Sequence, residues 1–255
     1  MSAPSGLEFS FEEFRAEIGV MISLAESLLT PDSVRALKRF EQTVRQLGEQ
    51  QTDRPYSLEL QGLDGAGGVR TRPSAGEYEK RERKGKVVSA ELRSVWMVKP
   101  VATKRKKQPR SRFRLTGLAS TSISIHDNCG EILARWQMDV ADERSPGCYF
   151  HIQVAQESDE PPFPAWLPVP RFPSLLVTPM AALDFVLGEL FQDRWLKRTS
   201  AGDSAAQRWR SMQKKRWQHL LQWYLECVRD TGETCSPWLS IKRAQPPVEL
   251  FSRRS

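Results

Sequence analysis

The densest concentration of any one chemistry in this 255-residue chain is cationic. Lys104, Arg105, Lys106, Lys107, Arg110, Arg112 and Arg114 supply seven positive charges with no acid between them. Without them the chain is balanced, 31 Lys and Arg against 31 Asp and Glu, so the +7 formal charge is one local feature and not a basic body. An acid-free cluster can neutralise several phosphates, and its affinity falls steeply with salt as counterions are released. Pro100 and Pro109 argue against a helix here, so the run is expected to contact the backbone of RNA or DNA, not base edges. The plain alternative is a solvated or nuclear-targeting-like loop.

A second basic run, Arg208, Arg210, Lys214, Lys215 and Arg216, interleaves with Trp209 and Trp217. Cations alternating with aromatics can stack on unpaired bases. Helical spacing, however, puts both tryptophans on a buried stripe and leaves Arg208, Lys214 and Lys215 as a secondary basic face of a core helix. The third constellation depends on strand register. If Met138 pairs with Phe150, then Gln137 lies opposite His151 and Arg135 opposite Gln153, with Asp139 and Tyr149 one step along. An Arg that binds phosphate beside a His that exchanges a proton makes His151 and Arg135 the catalytic candidates. A satisfied structural His is the competing reading, and the sequence does not require an enzyme.

Several classes are excluded or disfavoured. Cys129, Cys148, Cys227 and Cys235 form no CxxC pair, and His126, His151 and His219 complete no zinc-finger spacing, so no metal site is expected. The glycine loops and nucleophile motifs of the most legible enzyme classes are missing, and no cofactor is expected. Residues Met1 to Glu8 lack the pattern of a signal peptide, and no apolar run approaches the roughly 20 residues that span a bilayer. A cytoplasmic protein with no membrane partner is the expectation.

These side chains must be positioned by an α+β fold: an antiparallel four- to five-stranded meander sheet with an N-terminal helical hairpin and a C-terminal pair of helices. Ser10 and Glu13 form a capping-box pattern before Phe14, Ile18 and Ile22; Thr30 and Pro31 start a second helix that carries Val34, Leu37, Phe40 and Val44. Four alternating runs follow, 88–98, 113–125, 132–140 and 148–154, with Trp136 and Phe150 facing the core. The turn Asp127–Gly130 sets Ile125 opposite Ile132. Residues 62–86 and 99–112 read as flexible loops, and a proline-rich strap over 161–177 packs through Phe163, Trp166 and Leu167 or serves a protein partner. Helices begin at Thr178–Pro179 and at Asp203 or Ser204, and the tail offers a short strand at 239–242. The segments 1–50, 54–160, 161–177 and 178–255 are expected to form one globular unit.

The stretch Asp127 to Trp136, followed by Tyr149 to Gln153 and the helix at Pro179, resembles the hairpin of small bacterial TumE-type toxin proteins. That family runs a turn Gly, an apolar pair, an Arg-aromatic step and a His-x-His strand before a helix; Gln153 stands at the second His. The resemblance implies a related fold and an RNA-directed activity. The leading expectation is a non-catalytic nucleic-acid-associated protein, or a subunit of a larger bacterial assembly, that contacts phosphates through its basic loop. The alternatives are a toxin-like enzyme using His151 and Arg135, and an interaction module using the proline strap.

Overall fold

Local signals open the helices. Ser10 accepts the Glu13 N–H (3.3 Å) to begin α1, Phe11–Ala25, and Thr30 accepts the Ser33 N–H (3.3 Å) to begin α2, Pro31–Glu49. Their apolar stripes pack together and on the sheet. The chain is described by a computed structural model over residues 6–50, 54–74, 76–78, 86–101, 111–141, 147–154, 171–229 and 235–251.

The sheet is antiparallel and, among the described residues, has eight strands where four or five were expected. These are β1 (Glu8–Ser10), β2 (Tyr56–Leu60), β3 (Val69–Arg70), β4 (Val88–Pro100), β5 (Arg112–Asp127), β6 (Ile132–Val140), β7 (Phe150–Val154) and β8 (Phe172–Pro173). The main path runs β2-β4-β5-β6-β7-β8, with β1 on β5 and β3 on β4. Period-two alternation is readable in β4, β5 and β6, of 9 to 16 residues, and in the five-residue β7; β1, β3 and β8, of two or three residues, are too short to carry a period. The α+β class holds. One face of the sheet carries Trp96, Phe113, Ile123, Met138 and Phe150 into the core, where Phe9, Phe14, Trp96 and Phe113 make an aromatic cluster with centroids 5.4–6.4 Å apart.

Three expectations about loops and register are corrected. Part of the 62–86 segment is built into the sheet: Val69 is in β3, Thr71 and Ser74 bridge to Leu29 and Val88, and Ser74 donates to the Leu190 carbonyl at 2.7 Å. Gly68 permits this, since a Cβ there would fall 2.3 Å from the Leu92 carbonyl oxygen. At the β5–β6 turn, Asp127 N–H bonds to Glu131 O (3.0 Å) and Gly130 adopts φ 90°, which makes a three-residue loop with a bulge. The loop sets His126 opposite Ile132, which is 48% exposed, and a register shift between Ile125 and His126 then sets Ile125 opposite Ala134. Finally, Val140 pairs with Phe150 and Met138 with Ile152, a slide of two residues from the expected pairing. A slide of two preserves faces but changes every cross-strand neighbour.

The strap expected over 161–177 is described only from Arg171. There Phe172 and Pro173 form an edge strand, where a proline is tolerated; Phe163, Trp166 and Leu167 lie outside the described residues. Helix α3, Pro179–Thr199, starts on Thr178 and kinks at Gln192, and Trp195 Nε1 beyond the kink donates to Asp184 (2.8 Å). Helix α4, Ser204–Arg229, starts where the Asp203 carboxylate accepts the Ala206 N–H at 2.9 Å. The tail is a helix, α5 (Pro237–Arg243), and not a strand. Ser236 accepts the Leu239 N–H (3.3 Å) and Pro237 takes the first position, the same signal that starts α2 and α3. Trp136, expected in the core, is only half-buried, edge-on to Phe185 where helix cover thins out.

Candidate nucleic-acid interface

The basic run leaves the sheet from the β4–β5 ladder. Lys99 pairs with Arg114, Pro100 with Phe113, and Val101 N–H bonds to Arg112 O at 2.9 Å. Lys104, Arg105, Lys106, Lys107 and Arg110 lie outside the described residues. Arg112 and Arg114, at the root of the run, are engaged by acids. Strand β1 pairs on the free edge of β5 with Glu8 opposite Arg114, and the nearly buried Glu8 carboxylate accepts both Nε (3.2 Å) and Nη2 of Arg114. Arg112 lies 3.5 Å from Glu8 and 3.3 Å from Glu249. Two of the seven expected phosphate contacts are thus neutralised by acids distant in sequence, and they fasten the root of the run.

Ser10, the cross-strand partner of Arg112, is also a wall of a pocket of about 70 Å³ between β1, α1 and α4. Phe9, Phe14 and Phe251 floor it; Lys215, His219 and Glu13 stand at its rim. From Ser204 to Leu225, α4 carries five cations and no acid. Arg210 is held by the Thr199 and Ala201 carbonyls, and Arg216 by Glu17. Arg208, Lys214 and Lys215 remain, but they do not make one face. Arg208 and Lys215, seven residues apart, share a side, whereas Lys214 is turned about 100° from Lys215. Trp209 is buried as expected, but Trp217 is 41% exposed.

Glu17 was invisible as a polar centre in the sequence because it interrupts no pattern. It is 0% exposed, and its carboxylate accepts Thr178 Oγ1 (2.7 Å), Gln213 Nε2 (3.1 Å) and both terminal nitrogens of Arg216, the second at 2.9 Å. This fourfold bonding ties α1 to the start of α3 and to α4, and it fixes which way the basic side of α4 turns.

The outer face of the β6–β7 pair holds a closed polar network. Asp139, not Gln137, lies opposite His151, and Gln137 lies opposite Gln153. His151 is 1% exposed. Its Nδ1 donates to the Cys148 carbonyl (2.8 Å), and its Nε2 lies 3.1 Å from Gln153 Nε2 and 3.5 Å from Asp139 Oδ2. Gln137 and Gln153 each donate to Asp139 at 2.9 Å. Burial pushes the Asp139 carboxyl up, yet hydrogen bonds from the His151 ring, Gln137 and Ser120 outweigh it and hold the group below the usual carboxylate range. Arg135 is four residues from Asp139 along β6, about 13 Å away along the strand. An acid–base group must reach its substrate; this imidazole instead closes a structural network.

No protein-family model matches the chain, and comparison with curated proteins and with solved structures found no match. Among the described residues, no helix is long and apolar enough to cross a membrane.

Proposed function

We propose that this protein is a non-catalytic nucleic-acid-binding protein, or the nucleic-acid-contacting subunit of a larger bacterial assembly, that grips the phosphate backbone through Lys104, Arg105, Lys106, Lys107 and Arg110. The observation that carries this reading is the division of labour within the basic run. Glu8 and Glu249 hold Arg112 and Arg114 at the root, and the five cations between the paired stems have no acid among them. Lys215 lies beside the same root across Ser10, so a backbone leaving the run meets a further positive charge. The resemblance of the β5–β6 hairpin to TumE-type toxins belongs with an RNA-directed enzyme. That reading needs His151 at a surface, and its burial and filled hydrogen bonds favour binding over catalysis.

The test is fluorescence anisotropy with labelled single-stranded RNA, single-stranded DNA and duplex DNA at about 50 and 200 mM salt. Wild type should lose affinity steeply across that range. Replacing Lys104, Arg105, Lys106 and Lys107 by Ala should flatten the log–log slope by about 0.9 for each phosphate that is no longer neutralised. Equal binding and equal slope for the two proteins overturns the reading.

A further inference from the structure

We infer that α4 is the interface of a homodimer, pairing antiparallel with α4 of a second copy through Trp217, Leu221, Leu225 and Val228. These side chains are 41, 49, 43 and 37% exposed, although their 4-4-3 spacing puts them on one stripe about 16 Å long. Another side of the same helix is already buried through Ala206, Trp209, Leu220 and Trp223. A helix apolar on two sides belongs between two layers, and the described residues of one chain provide one. Helix α5, packed against α4, adds the exposed Trp238 and Leu239. Over both copies, this apolar surface amounts to about 1,000 Å², the lower end of what a specific interface buries.

Shape and charge both select a second copy in antiparallel sense. A two-fold axis beside Gln222 sets the bulky Trp217 over the small Val228 of the other copy and Leu221 over its Leu225, so large meets small and the stripe complements itself. Lys214 sits at the N-terminal end of the stripe, exposed and without an ion pair among the described residues. Antiparallel pairing brings it to the negative helix pole at the last turn of the other α4, where Arg229 is the basic residue. The two Lys214 side chains are then about 26 Å apart, well beyond a Debye length. Parallel pairing would set them side by side. The only acid on α4, Glu226, lies twelve residues along, about 18 Å away, so a parallel pair has nothing on α4 close enough to offset that repulsion.

Sedimentation velocity of the full chain from about 1 to 200 µM tests this at the micromolar strength that an interface of this size supports. Wild type should shift from monomer to dimer. Leu221→Glu and Leu225→Lys should each stay monomeric with unchanged circular dichroism, and an equimolar mixture should recover association, because only the antiparallel register places position 221 against position 225. If Leu221→Glu fails to fold, Leu221→Ala should still weaken dimerisation about tenfold. A wild type that is monomeric at the highest concentration, a dimer indifferent to both single substitutions, or a mixture that stays monomeric overturns the inference.

Discussion

Replacing Glu17 by Gln should destabilise the protein more than any other single change of comparable size. The carboxylate is fully buried and receives four donors, from Thr178, Gln213 and Arg216. An amide in its place puts an NH₂ where only donors point and leaves the Arg216 guanidinium, 12% exposed, without its counter-ion. Removing one partner of a buried pair costs about 3–5 kcal/mol. In a chain of this length each kcal/mol lowers Tm by roughly 2–4 °C, so the loss should be about 6–20 °C. Differential scanning calorimetry reads it directly, and salt should not restore it, because a buried pair is poorly screened. The double replacement Glu17→Met with Arg216→Met should regain most of the loss, since a buried ion pair exchanged for apolar side chains is often neutral or better. Thr178 keeps its role as the α3 cap, and the half-buried Gln213 can turn to water. A Glu17→Gln protein within about 1 kcal/mol of wild type refutes the reasoning, as does a double variant no better than the single.

The remaining expectations are smaller. The lowered Asp139 carboxyl binds its proton less readily in the folded protein than in the unfolded chain. Its stabilisation is therefore complete above the unfolded value near 3.9 and is lost as pH falls through the folded value, so Asp139→Asn should flatten the acid limb of a urea-denaturation series below about pH 4. Trp96→Ala should cost about 3–5 kcal/mol, and Trp136→Ala distinctly less, because Trp96 is 2% exposed and Trp136 only half-buried; equal midpoints in urea would contradict this. Asp203→Ala should cost about 1 kcal/mol by removing the α4 cap, read as a small shift in thermal midpoint. Arg112→Ala should lower the thermal midpoint yet leave the salt slope of nucleic-acid binding unchanged, the reverse of the loop quadruple variant.

What could be read from the sequence alone is what short-range physics decides. Ser10, Thr30, Thr178 and Asp203 start their helices because a cap is satisfied by an N–H three residues on, and the strands at 88–100, 112–127 and 132–140 follow from alternation that one buried face imposes. The Ser236–Pro237 start of α5 was equally local and equally legible. The fate of individual charges was not legible, since it rests on pairing between residues far apart in the chain. Glu8 meets Arg114 across 106 positions, and Glu17 meets Arg216 across 199. The strand pattern put His151 on the right face but beside the wrong neighbours, because period-two alternation is blind to a slide of two; the pairing of Val140 with Phe150 sets the register. Tertiary structure alone decided that two arginines of the basic run are anchors, that His151 is sealed, and that Trp217 looks outward. A charge or an imidazole gains its role from what packing brings within a few ångströms, and no local pattern encodes that.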